Sequence, residues 1–189
     1  MTVEELFKQL SYGELSNLAV AVDASGAIKK DQQNRILHFA NEGLLKLHSR
    51  FPLRETQEVL TLTGQEFEKT LGADVLQVTS ILTAWGESLP FHSHPIPKRL
   101  YVYHNKLHIP PMTGELLVSY QQRHPKLTDI VVPADLAQVI SLPTELTEAL
   151  TAYIAYKVYA GMNSQDSMNI AAGHRARYEQ VLVEAQNHG

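Results

Sequence analysis

Residues 141–162, SLPTELTEALTAYIAYKVYAGM, place the strongest constraint on how this chain can fold. Leu146, Leu150, Tyr153, Ile154, Val158 and Met162 recur at helical spacing, with the stem of Lys157 beside them. Ala149, Ala152, Ala155 and Ala160 fill the intervals with good helix formers. Pro143 suits a first turn, where its missing N–H leaves nothing unpaired. Asn163-Ser164 is expected to end the helix, because Asn tolerates the left-handed backbone needed there. Such a segment is a rod of about 30 Å. A rod that apolar on one side requires partners, so the rest of the chain must supply elements to cover it.

Helical spacing returns elsewhere. Thr2-Val3-Glu4-Glu5 and Ser11-Tyr12-Gly13-Glu14 each pair a hydroxyl with a carboxylate three residues on, which predicts two short capped helices with a break between them. A longer helix is expected over 30–49, where Ile36, Ala40, Leu44, Leu47 and Phe51 share a face and Pro52 stops the run. A last helix is expected over 164–187, with Ile170, His174, Tyr178 and Val181 as its narrow apolar stripe.

Between these helices the period changes to two. Strands are expected over 58–63 and 75–85, the second with Leu76, Val78 and Leu82 facing one way and Gln77, Thr79 and Thr83 the other. Residues 99–109 read as a hairpin turning at Asn105-Lys106, and 115–121 as another strand. Val131-Val132-Pro133 reads as edge strand or extended chain. Helices, a run of strands, then helices predict an α+β fold. Residues 1–55 and 141–189 would form a helical bundle with a long C-terminal helix, and 56–140 a β-rich insertion.

Composition excludes several classes. At 44% hydrophobic and 19% charged, 189 residues suit an ordinary folded protein with a real core. A net charge of −4 and a pI near 6.1 argue against non-specific binding to nucleic acid or membrane. With no cysteine there is no disulfide framework, thiol catalysis or Cys-based zinc site. The start, MTVEELFKQL, is acidic and amphipathic, unlike a secretory leader, and no apolar run approaches the ~20 residues of a membrane span. A soluble protein made in a cytoplasm is expected.

No phosphate loop, dinucleotide fingerprint or nucleophile elbow is present. His92 and His94 alternate and could face one metal. A catalytic zinc needs a third ligand and supporting partners, which no HExxH run supplies, and a solvated proline-rich loop is the plainer reading. His104 and His108 flank the hairpin turn and could pair across strands. Tyr101, Tyr103 and Tyr120 suit either a core or an aromatic interface. No cofactor is expected.

Three stretches carry a family resemblance: ILHFANEGLLKLHSRF at 36–51, VISLP at 139–143 with the Ala/Tyr-rich helix after it, and HRARYE at 174–179 before Val181-Leu182. Together they resemble the head-to-tail connector (adaptor) proteins of tailed bacteriophages. That resemblance implies a non-enzymatic virion protein at the head–tail junction. It implies a ring of copies, commonly twelve, seated beneath the portal protein, with DNA passing only through the lumen and no membrane contact. It also implies a C-terminal helix docking on the portal and a β-rich part facing a tail or nozzle protein. Ile170, His174, Arg175, Arg177, Tyr178 and Val181 are then the expected portal-binding residues. Two alternatives remain: another tail or baseplate protein, and a metal-dependent hydrolase built on His92 and His94.

Overall fold

A computed structural model describes residues 1–189 except Ala19, Ala21, Asp23, Ala24, Glu66, Phe67, Pro97, Lys98, Asn163, Gly189 and the side chain of His188. The expected helix stop at Asn163 therefore lies outside the described residues. The fold is α+β. The chain forms two compact units, one of residues 1–47 and 126–189, the other of residues 48–125.

The first unit is helical. Helix α1 (Val3–Tyr12) opens on a complete capping box: the Glu5 N–H donates to Thr2 Oγ1 at 3.2 Å, and the Thr2 N–H donates to the Glu5 carboxylate at 2.8 Å. Val3, Leu6, Phe7 and Leu10 are its buried stripe. Among the described residues, turns stand where the second capped helix is predicted. Ser11 lies in the last turn of α1, and the Gly13 and Leu15 N–H groups donate back to Gln9 and Leu10 carbonyls, ending α1 in turns. The same S-x-x-E letters thus fall at a helix end.

Helix α2 (Lys30–Arg50) buries Ile36, Leu37, Ala40, Leu44 and Leu47, as its spacing predicts. Helices α3 (Thr144–Ala160) and α4 (Gln165–His188) follow, α3 starting directly after Pro143. The segment 126–140, expected within the β-rich insertion, belongs to the helical unit instead. It pairs with side chains of α2. Asn41 donates to the Leu127 carbonyl at 2.9 Å and accepts the Leu127 N–H at 2.8 Å, while Asn34 accepts the Ile130 N–H at 2.8 Å. Val131 and Val132 are exposed beside a short 3-10 helix (Pro133–Ala137), not in a strand.

The second unit holds two small antiparallel sheets. Strands β1 (Glu55–Thr63), β6 (Thr113–Gln122) and β3 (Val75–Thr83) form one, with β6 central. Strands β2 (Glu68–Thr70), β5 (Lys106–His108) and β4 (Tyr101–Tyr103) form the other. One cluster spans both sheets, with Leu60, Leu62, Val78, Ile81, Leu107, Leu116 and Val118 among its members. Two irregularities in β3, between Val75 and Gln77 and between Val78 and Ser80, shift its register. The predicted alternation therefore breaks: Ile81, not Leu82, is fully buried. The β4–β5 turn lies one residue earlier than expected, at His104-Asn105, because Tyr103 pairs with Lys106. His104 takes φ 55°, a left-handed conformation in which His is over-represented among non-glycine residues.

Candidate functional site

Helix α3 is buried on nearly every side: Leu146, Ala149, Leu150, Ala152, Ile154, Ala155 and Val158 are all inside. A helix apolar all round must sit among neighbours. On α2, Gly43 supplies close approach, since a Cβ there would lie 2.7 Å from Leu150 Cδ1 and 3.0 Å from the Tyr153 ring. Lys157 pairs with Glu42 at 2.8 Å, and the Tyr153 hydroxyl donates to the same carboxylate at 3.2 Å. The Lys157 hydrogen bond is the main force holding the Glu42 carboxyl below its ordinary value. Burial, with Glu42 adding, pushes the Tyr153 hydroxyl well above the usual tyrosine value.

Helix α4 covers another side. Tyr178 meets Tyr153 with ring centroids 5.3 Å apart, and His174 stacks on Tyr159 at 5.5 Å and 17°. Ala171, Tyr178, Val181 and Leu182 are buried. Burial holds His174 below the ordinary histidine value. Three of the four residues in the predicted docking stripe thus pack within the chain, because Ala171 and Leu182 widen a stripe that looked narrow. Arg177 is also engaged. Its Nε donates to Glu148 at 2.8 Å, and its guanidinium lies 3.7 Å from Glu14, which also accepts from the Thr151 hydroxyl at 3.3 Å. Of the six expected binding residues, Ile170, Arg175 and Arg177 keep exposed side chains, Arg177 while paired with Glu148, and exposed Met168 and Val183 join them on the same helix.

In the sheet unit, His92 and His94 lie with ring centroids 6.0 Å apart at 60°. His92 is bound into the backbone, its N–H donating to Leu100 O at 3.1 Å and its carbonyl accepting the Val102 N–H at 2.8 Å. Among the described residues no three His, Cys, Asp or Glu side chains gather as a metal site. The other two candidate histidines do not pair with each other: His108 stacks on Tyr101 at 4.2 Å, and His104 meets Tyr103 edge-on at 4.3 Å. The three tyrosines separate as well, with Tyr120 in the core, Tyr101 half-buried and Tyr103 exposed.

A buried histidine pair has no counterpart in the sequence signals. His48 and His124 meet at 5.5 Å and 71°. His48 Nδ1 lies 3.3 Å from Gln122 O, and His124 Nδ1 lies 2.6 Å from Pro125 O. Burial pushes both below the ordinary value, and His48 Nε2 is buried with no hydrogen-bond partner. Helical spacing from Leu44 to His48 was the one available hint.

No helix among the described residues is long and apolar enough to cross a membrane. A search of curated proteins returned no match. The family model described as SU10 adaptor protein matches residues 10–188, from the last turns of α1 through both units to the end of α4. That span covers nearly the whole chain, and the protein belongs to the SU10 adaptor protein family, phage structural adaptors that act in the virion against other virion components.

Proposed function

We propose that the protein is a head-to-tail connector. Copies close into a ring, a dodecamer in this reading, between the portal and the tail, and the genome passes through its lumen. Family membership supports the adaptor role. The observation that carries the portal side is helix α4: it packs one face on α3 and leaves Ile170, Arg175, Met168 and Val183 exposed. Ile170 and Arg175 are five residues apart, which on a helix sets them on opposite flanks of the seam with α3. Tyr178, Val181 and His174 hold the helix from behind, and Arg177 fixes it to Glu148. An apolar contact at Ile170 and a charge at Arg175 suit a portal groove with an acidic rim. Repetition around a ring makes each weak contact collectively strong. The sheet unit is left to meet the tail or nozzle protein.

The test is a double variant, Ile170→Asp with Arg175→Glu, added to isolated portal rings. It should keep the wild-type thermal midpoint and lose portal decoration. Normal decoration by this variant would move the docking surface off α4. Deleting residues 164–189 is a poorer test, because it uncovers Tyr153 and Tyr159 on α3.

A further inference from the structure

The sheet unit carries an exposed anchor. Trp85, the one tryptophan of the chain, is 90% exposed at the tip of the turn after β3. The turn is firmly built. The Thr83 N–H donates to Glu87 O at 2.9 Å and the Gly86 N–H to Thr83 O at 2.9 Å. Thr83 Oγ1 accepts from the Trp85 and Glu87 N–H groups at 3.3 and 3.2 Å. Gly86 adopts φ +80°, which a side chain would resist. Leu89 donates back to Ile81 at 2.8 Å, so the arms stay paired. A large indole on a rigid tip loses little freedom when it docks, and buried Trp is a common binding hot spot.

The helical unit carries a matching hollow. Phe7, Ala27, Ile28 and Leu136 line a cavity of about 240 Å³, together with the polar Glu4, Lys8, Ser25 and Gln33. Most of its exposed lining surface is apolar, and Lys8 pairs with one Glu4 oxygen at 2.7 Å. The Glu4 carboxylate can accept a further hydrogen bond, which an indole N–H needs once buried.

Net charge disfavours one of the possible pairings between copies. The helical unit has nine Lys and Arg against thirteen Asp and Glu, so it holds the whole net charge of −4. The sheet unit has seven of each and is neutral. Helical unit against helical unit sets like charges together, whereas sheet unit against helical unit does not. Knob and hollow also sit on different units of one chain. Their engagement between copies is head-to-tail, the kind of contact that forms rings when its rotation closes.

We infer that successive copies join by seating Trp85 of one copy in the Phe7/Ile28/Leu136 hollow of the next. This rests on the ring proposed above and names its subunit contact. The test uses the full chain, whose single tryptophan reports on its own burial. Molar mass by light scattering and tryptophan emission are followed together as concentration rises, with and without isolated portal rings. Wild-type emission should move to shorter wavelength as the mass grows. Trp85→Ala, which removes the knob, and Ala27→Arg, which fills the hollow from an exposed position, should each stay single-chain with unchanged circular dichroism. Mixed one to one, they should form a pair and stop, since one offers only a hollow and the other only a knob.

Assembly of Trp85→Ala at wild-type size, or wild-type assembly without an emission shift, would overturn this contact and leave the ring standing. A mixture that stays single-chain would overturn it too. Wild-type protein that stays single-chain, alone and on portal rings, would remove the ring itself and this contact with it.

Discussion

The two units hold themselves together in different ways. The helical unit is built on one axis, α3, and the other helices cover it through a few specific contacts: Gly43 against Leu150, Tyr178 against Tyr153, Arg177 to Glu148. The sheet unit has no such axis. Its stability is spread over ladders such as Glu55 to Gln121 through Thr63 to Thr113, and over an aliphatic cluster shared by two sheets. Charge separates them further: the acidic excess is all helical, whereas six of the nine histidines lie in the neutral sheet unit. A unit built on one rod fails at a few positions. A unit built on ladders tolerates loss at many and can carry an exposed tip like Trp85 without cost to its core.

The largest effect should come from cutting the axis. Leu150 is fully buried, and Leu150→Ala should cost about 2–5 kcal/mol. The midpoint of the helical circular dichroism signal should fall accordingly. Leu107→Ala, equally buried but in the sheet unit, should leave that helical midpoint close to wild type. Equal shifts from both substitutions would mean that the units unfold as one, and the contrast drawn above would fail. Next in size is Gly43→Val. A side chain there meets Leu150 and the Tyr153 ring, and overpacking of this kind should cost about 1–3 kcal/mol in the same signal.

The third contrast is in pH. His48 and His124 are held below the ordinary histidine value chiefly by burial, with the Arg54 charge adding at both and His124 adding at His48. The unfolded chain takes up protons near pH 6.5, where these buried rings resist them. It therefore binds more protons than the folded protein, and stability falls as pH falls. The contribution is fully present above about pH 6.5 and is lost as pH drops through the folded values. In the helical unit His174 is displaced in the same direction. Between pH 7 and 5, thermal midpoints read in the sheet signal should fall more than those read in the helical signal. A sheet signal that is the less sensitive of the two would show that the His48–His124 pair is not the acid-labile point.

The smallest effect is expected at Arg177→Met. Its pair with Glu148 is about half-exposed at both ends, so the loss should stay within about 1 kcal/mol. A larger loss would make the Glu14–Arg177–Glu148 link a true part of the α3 axis.

Much of the helical unit was legible because its signals are local. The stripe Leu146, Leu150, Ile154 and Val158 is buried as spaced, and the Thr2 box caps α1 as its letters indicate. The errors came where a local pattern met a distant partner. Ser11 has the letters of a cap but sits in a helix end. Segment 126–140 has an extended pattern, but its backbone groups are claimed by Asn34 and Asn41 of α2, about ninety residues earlier. The irregularities in β3 shift its register, so Val78 stays inside as spaced but Ile81 replaces Leu82 in the core. For the proposed portal-binding residues, the sequence pattern does not show which side chains are free. Ile170 and Arg175 stand exposed, whereas Tyr178, Val181 and Arg177 are occupied by α3 and Glu148, contacts that no single-helix pattern encodes.

The proposed function is a place in the particle: a ring of this protein between portal and tail, with α4 against the portal. Electron microscopy of the capsid vertex, with this chain carrying a visible label at its C-terminus, tests it most directly. Ring density should lie directly beneath the portal, with the label on its portal-facing side. Label at the far end of the tail, or a portal joined to the tail with no intervening ring, would contradict it.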